Sequence, residues 1–113
     1  MAVIDRMDLN QRKVEAYQDN MKWFPDKALD VRHHTLGLTG EAGEVANEIK
    51  KWDRGDYYNI AGSIYPDAFK QKVASELADV LVYAFSLASI LGIDLERSYD
   101  EKRDYNGSRF GNK

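Results

Sequence analysis

Residues 73–91, VASELADVLVYAFSLASIL, carry the strongest structural pattern in the chain. Apolar side chains recur there at alternating steps of four and three, which is the repeat of an α-helix that buries one face. They are Val73, Leu77, Val80, Ala84, Leu87 and Leu91. Further apolar residues, including Leu81 and Phe85, lie on the other faces, and a helix that is apolar nearly all round is buried in its own chain or in a partner chain. The pattern therefore also favours self-association through helices, as a dimer or a tetramer.

Three more helical segments surround this stretch. The helix that contains it is predicted over residues 67–91. Residues 8–24 and 27–52 form two helices before it, and a last helix follows the turn at Gly92 and ends near residues 106–107. Pro25, Gly55 and Gly92 are the breaks, and Asp8 and Asp94 are suitable helix caps. The sequence predicts an all-α, four-helix bundle-like fold in a single domain over residues 1–113, with a flexible tail at residues 108–113. The tyrosine-rich residues 53–66 are interpreted as an ordered loop or a lid.

Composition narrows the chemistry. The 113 residues are 43% hydrophobic and 31% charged, with a formal net charge of −3, which is ordinary for a globular domain. There is no cysteine and there are only two histidines, so a metal would be held mainly by oxygen ligands, which suits hard cations. The charge balance does not favour nucleic-acid binding. No signal-peptide pattern occurs, and the apolar-rich residues 80–93 are too few to span a bilayer, so we expect a cytoplasmic protein without a membrane partner.

Two acidic pairs are the candidate metal ligands. Glu41 and Glu44 lie on the second helix, and Glu76 and Asp79 lie on the third. Residues three apart on a helix are rotated by only about 60°, so each pair shares a face, and each face borders the apolar stripe of its helix. If the two helices pack together, four carboxylates meet in one cleft and repel each other, and a divalent cation offsets that repulsion. Mg²⁺ is the predicted ion, with Mn²⁺ as a possible substitute, and such a site suits phosphate chemistry.

A single acidic pair at this spacing is usually a solvated helix face, and the presence of two pairs shifts the balance towards a metal site. Neighbouring residues have two interpretations each. Glu48 lies on the metal face and is either a further ligand or the ion-pair partner of Lys51. His34 is either a substrate contact or a hydrogen-bonded histidine near the core. Tyr83 either contacts a substrate or fills space.

Residues 38–45 (LTGEAGEV) and 76–81 (ELADVL) together resemble the MazG-like branch of the all-α nucleoside triphosphate pyrophosphohydrolases. That family is marked by an ExxE pair on one helix and an ExxD pair on the next. The later pattern Lys102-x-x-x-Asn106-x-x-Arg109 also fits, so the resemblance covers residues 32–109. The chain departs from the family in one respect, because 31 residues separate Glu44 from Glu76 where the family has a shorter connection.

The resemblance implies hydrolysis of a (deoxy)nucleoside triphosphate to the monophosphate and pyrophosphate. It implies that all four acidic residues hold Mg²⁺ and that either Glu41 or Glu44 acts on the attacking water. It also implies substrate contacts from Lys102, Asn106 and Arg109. An aromatic residue among Trp23, Phe24 and Trp52 stacks on the base or, alternatively, packs in the core.

Two other classes of protein are alternatives to a nucleotide pyrophosphohydrolase. A di-iron carboxylate bundle needs Glu-x-x-His on two helices, and this sequence contains no such motif. A non-catalytic helical interaction or nucleotide-binding protein would leave the acidic residues solvated and would show no metal-dependent stabilisation. The preferred base and sugar stay open.

Overall fold

The computed structural model describes residues 8–56 and 65–111, and all regular structure in these ranges is helical. The four α-helices are α1 (Leu9–Trp23), α2 (Val31–Asp53), α3 (Asp67–Leu91) and α4 (Leu95–Phe110). The predicted all-α class is confirmed. Most of the tyrosine-rich stretch at residues 53–66, for which a loop or lid was expected, lies outside the described residues.

Local side-chain chemistry explains where the helices begin. Asp8 accepts a hydrogen bond from the Gln11 backbone N–H at 2.8 Å, and the Gln11 side chain accepts one from the Asp8 N–H, so the pair forms a capping box. Asp30 caps α2 by accepting from the His33 N–H at 3.1 Å. The sequence prediction that this helix starts at residue 27 was therefore wrong, because a turn fills residues 25–29 and the capping aspartate sets the start.

The other two helices match the sequence more closely. Helix α3 has the predicted bounds of residues 67–91. Asp94 caps α4 as predicted by accepting from the Arg97 N–H at 3.1 Å. The helix continues to Phe110, beyond the predicted end near residue 107, and the Gly111 N–H still donates to the Gly107 carbonyl at 2.8 Å. Gly107 costs about 1 kcal/mol relative to alanine in a helix, which does not suffice to end it.

The chain divides into two compact units, which we describe separately. The terminal unit comprises Met1–Leu29 and Phe85–Lys113, and the central unit comprises Asp30–Ala84. In the terminal unit, the first turns of α1 and α4 cap each other. The Leu9 N–H donates to Glu96 Oε1 at 2.6 Å, and the Leu95 N–H donates to Asn10 Oδ1 at 2.8 Å. These bonds satisfy backbone donors that a helix start otherwise leaves without a partner.

In the central unit, α2 and the first part of α3 run antiparallel. Three pairs of neighbouring residues along the two helices show this: Gly37 with Tyr83, Glu41 with Asp79, and Trp52 with Phe69. From the first contact to the second, α2 advances four residues while α3 goes back four. From the first to the third, the steps are fifteen and fourteen. This register places the two acidic pairs opposite each other.

Helix α3 leaves much apolar surface uncovered. By length and composition it could cross a membrane, but an interior or interface helix passes the same test, so this is weak evidence for a span. Only 11% of the most apolar 18-residue stretch of this helix is buried. Leu77, Leu81 and Val82 are 49%, 53% and 50% exposed, respectively. The described residues of a single chain therefore do not supply the burial that the apolar pattern of this helix indicates.

Candidate metal centre

Three acidic side chains from two helices meet in the central unit. Glu41 of α2 and Glu76 and Asp79 of α3 each offer one carboxylate oxygen, and these oxygens lie within 4.8 Å of one another. Glu41 and Glu76 are half-buried, whereas Asp79 is exposed. Helix spacing puts Glu76 and Asp79 on one face of α3, and the antiparallel register sets Glu41 against that face. Three of the four predicted ligands are thus brought together.

The electrostatics of this carboxylate cluster show the cost of assembling it. Burial raises the pKa of Glu41 above its ordinary value, and the negative charges of Asp79 and Glu76 raise it further. A hydrogen bond with the Glu76 side chain and the charge of Glu44 add smaller increases to the pKa of Glu41. Without a cation, a proton on Glu41 lowers the repulsion. A set of three converging carboxylate oxygens fits a hard divalent cation, whose positive charge would offset their repulsion.

Glu44 is placed differently from the other three acids. It is exposed and is not a member of the carboxylate cluster, although its charge acts on Glu41. It lies about one helical turn beyond Glu41 on α2. Its predicted roles as a ligand and as a catalytic residue stay predictions.

Several residues with two sequence interpretations now have defined surroundings. Glu48 is buried and accepts a hydrogen bond from Lys51 Nζ at 3.0 Å, so the ion pair is present. His34 is buried, with its ring 6.1 Å from that of Tyr83. Trp52 packs between aromatic rings, with centroid distances of 5.3 Å to Tyr65 and 5.1 Å to Phe69. These surroundings correspond to packing in the central unit.

Tyr83 lies beside a glycine of α2. A Cβ atom built on Gly37 would lie 2.5 Å from Cζ and 2.6 Å from Cδ1 of the Tyr83 ring, and closer still to Cε1. Cβ atoms built on Gly40 and Gly43 meet nothing within 4 Å among the described residues. The three glycines of α2 predicted that another group packs closely against this helix. Their spacing did not indicate which glycine makes the contact or which residue lies against it.

The predicted substrate-binding residues of α4 belong to the terminal unit. Lys102, Asn106 and Arg109 are all exposed and recur at steps of four and three, so they share one face of the helix. Lys102 Nζ lies 5.2 Å from the centre of the Tyr105 ring, and the Arg109 guanidinium lies 4.9 Å from that of Phe110. Their contact with a nucleotide stays a prediction.

The fold and the carboxylate cluster define an all-α protein with a candidate divalent-cation site built from two antiparallel helices. The MazG nucleotide pyrophosphohydrolase domain matches the chain over residues 31–104. The chain therefore belongs to the MazG nucleotide pyrophosphohydrolase domain family. All four acidic positions and Lys102 fall inside the match, whereas Asn106 and Arg109 lie beyond it.

One curated relative is dCTP pyrophosphatase 1 of Mus musculus. It is 32% identical to this chain over 79 residues. The alignment covers 70% of this chain and 45% of the mouse protein, so the chain spans less than half the length of that relative.

Proposed function

We propose that this protein hydrolyses (deoxy)nucleoside triphosphates to the monophosphate and pyrophosphate in a Mg²⁺-dependent reaction. The observation that carries the proposal is the carboxylate cluster of Glu41, Glu76 and Asp79, within 4.8 Å of one another and inside the region that matches a nucleotide pyrophosphohydrolase domain. The raised pKa of Glu41 supports it, because acid–base and metal sites are where such perturbation concentrates.

Under this proposal, Glu41, Glu76 and Asp79 hold the ion, and Glu44 is a fourth ligand or the base. Mg²⁺ is the expected ion and Mn²⁺ a substitute, since both prefer oxygen ligands. When bound, the ion supplies positive charge that offsets the charge of the phosphates. The three carboxylates in turn fix the position of that charge relative to the substrate.

The hydrolysis needs one proton acceptor. The oxygen of water forms a bond to the α-phosphorus, the bond from that phosphorus to the α,β-bridging oxygen breaks, and pyrophosphate leaves. We assign the proton of the attacking water to a carboxylate oxygen of Glu44. Glu41 is the weaker candidate, because its carboxylate shares a hydrogen bond with Glu76 inside the carboxylate cluster. A general base must reach the water it activates, and the exposure of Glu44 allows that.

Substrate recognition is assigned from side-chain chemistry and from the family resemblance. Lys102 supplies a point charge and Arg109 a planar fork for phosphate oxygens, and Asn106 supplies amide hydrogen bonds to the sugar. The Tyr83 hydroxyl is a possible sugar contact. The name of the mouse relative makes dCTP the first nucleotide to test.

Self-association and a cytoplasmic location complete the proposal. The exposed apolar residues of α3 support a dimer or a tetramer, because contiguous apolar surface of this kind marks interaction sites. A second copy of the chain is the expected partner, and no nucleic-acid or membrane partner is proposed.

The test is a panel of ribo- and deoxyribonucleoside triphosphates incubated with the protein and Mg²⁺, with products separated by ion-exchange chromatography. Parallel reactions use Glu41→Gln and Glu44→Gln. Glu15→Gln is the matched control, because Glu15 lies on α1 and pairs with Arg12 at 3.1 Å. We expect monophosphate and pyrophosphate from the parent and the control. Both site variants should lose activity by roughly 10- to 100-fold or more, because losing even an indirect partner of the metal has an effect of that size.

Other products would change the conclusion. Diphosphate and phosphate would retain the metal site but move the cut to the terminal phosphate. No product from any nucleotide would overturn the enzyme proposal in favour of a non-catalytic helical interaction or nucleotide-binding protein. Equal activity of the parent and both site variants would contradict the assignment of Glu41 and Glu44.

A further inference from the structure

The contact between Gly37 and Tyr83 has a defined place relative to the carboxylate cluster. Gly37 is four residues before Glu41 on α2, and Tyr83 is four residues after Asp79 on α3. One helical turn rises about 5.4 Å, so the contact lies about one turn from the carboxylates on each helix. Because α2 and α3 are antiparallel, both turns extend in the same direction along the pair.

The Tyr83 ring occupies the space that a side chain at position 37 would need. The ideal Cβ position of Gly37 is 2.5 Å from Cζ and 2.6 Å from Cδ1 of the ring, and real Cβ atoms essentially never come within 3.0 Å of another group. A glycine inside a helix is unfavourable compared with alanine. At this position it lets the aromatic ring lie directly against the backbone of α2.

Two further rings of α2 lie near the Tyr83 ring. The His33 ring centre lies 6.4 Å from that of Tyr83, and the His34 ring centre lies 6.1 Å from it. His34 itself is buried, so the α2 side of this aromatic group has little room to move. A methyl group at position 37 would therefore displace the ring or the helix rather than slide past a mobile side chain.

We propose that Gly37 and Tyr83 are positioning residues that set the separation of α2 and α3 at the carboxylate cluster. The inference rests on the proposed metal site. Mg²⁺ requires near-ideal octahedral geometry, and ligand distances in metal sites hold to within about 0.2 Å. Widening the 2.5 Å approach to Cζ to an ordinary contact of 3.4 Å needs a shift of about 0.9 Å, which is large on that scale. The Tyr83 ring would then space the two helices, a role that does not require contact with substrate.

The experiment measures Mn²⁺ binding to the full chain directly, by electron paramagnetic resonance titration, together with kcat and KM at several metal concentrations. Gly37→Ala is expected to weaken Mn²⁺ binding at least tenfold and to raise the metal concentration for half-maximal activity by a similar factor. Gly43→Ala is the matched control. It adds the same methyl group to the same helix, but that group has no neighbour within 4 Å among the described residues. Binding by Gly43→Ala is expected to equal that of the parent.

Two changes at Tyr83 separate positioning from substrate contact. Tyr83→Phe keeps the ring and removes the hydroxyl, so Mn²⁺ binding is expected to stay at the parental value, and weakened Mn²⁺ binding would contradict positioning by the ring. A raised KM with unchanged Mn²⁺ binding would assign the hydroxyl to the substrate. Gly37→Ala combined with Tyr83→Leu removes the ring that the new methyl group meets, and it is expected to recover at least part of the lost Mn²⁺ affinity.

The outcomes distinguish this inference from the proposed function. Parental binding by Gly37→Ala would overturn the inference and leave the metal site standing. Failure of the parent to bind Mn²⁺ or Mg²⁺ would overturn the metal site and the inference with it. If Gly37→Ala does not fold, the double variant decides, because recovered folding without recovered Mn²⁺ binding would contradict a positioning role.

Discussion

At the scale of single residues, Glu41 links the stability of the protein to its metal chemistry. Burial and the neighbouring carboxylates raise its pKa above the ordinary value of 4.5. A carboxyl group that binds its proton more tightly in the folded state than in the unfolded state makes the folded state less stable as pH rises. This loss of folding stability begins near pH 4.5 and is complete above the raised pKa of Glu41.

The metal-free Glu41→Gln variant should therefore be more stable than the parent at pH 7. Because the parental carboxyl is neutral below its unfolded-state pKa, the difference should vanish there, towards pH 4. Urea unfolding in the presence of a chelator at both pH values measures this. Added Mg²⁺ should reverse the order at pH 7, since only the parent gains from binding. A variant that is less stable than the parent at both pH values would contradict this account.

Individual residues also show which parts of the candidate site the sequence could predict. The i, i+3 spacing of Glu76 and Asp79 fixes that they share a face, so this part of the site could be predicted. Whether Glu44 joins them depends on the rotation of α2 against α3, which spacing does not determine. The contact of Tyr83 with Gly37 depends on the same register and could not be read from either helix alone.

At the scale of helices, reciprocal capping joins the first turns of α1 and α4 in the terminal unit. The Asn10 amide both accepts from the Leu95 N–H and donates to Asp94 Oδ1, each at 2.8 Å. The sequence predicted Asp8 and Asp94 as caps because a cap acts within its own helix. It did not predict Asn10, which acts across 84 positions of the chain.

Asn10→Ala should lower the free energy of unfolding by about 1–3 kcal/mol, since it removes two hydrogen bonds worth about 0.5–1.5 kcal/mol each. Urea unfolding followed by circular dichroism measures the change. Gln18→Ala is the control, because Gln18 is exposed on the same helix. Mg²⁺ binding by Asn10→Ala should match the parent, since the carboxylate cluster lies in the central unit. An equal loss of stability in both variants would contradict a specific contribution from the Asn10 hydrogen bonds, because alanine is the better helix former at both positions.

At the scale of the whole molecule, the surface of α3 and the carboxylate cluster make separable predictions. Leu77 and Leu81 are each about half exposed, and they lie roughly 100–140° around the helix from Glu76. The three clustered carboxylates all come from one chain. Disrupting the proposed interface through these leucines should therefore prevent self-association without removing a proposed metal ligand.

Leu81→Glu should shift the protein to the monomer, because it places a charge in a surface that association would desolvate. Size-exclusion chromatography with light scattering measures the mass, and the Mn²⁺ titration is repeated on the monomer. Gln71→Glu adds the same charge to an exposed position of the same helix and should leave the mass unchanged.

A monomeric Leu81→Glu with parental Mn²⁺ affinity would support a site complete within one chain. A monomer unable to bind Mn²⁺ would mean that the second copy holds the two acidic helices in register. A parent that is itself monomeric would overturn the proposed self-association.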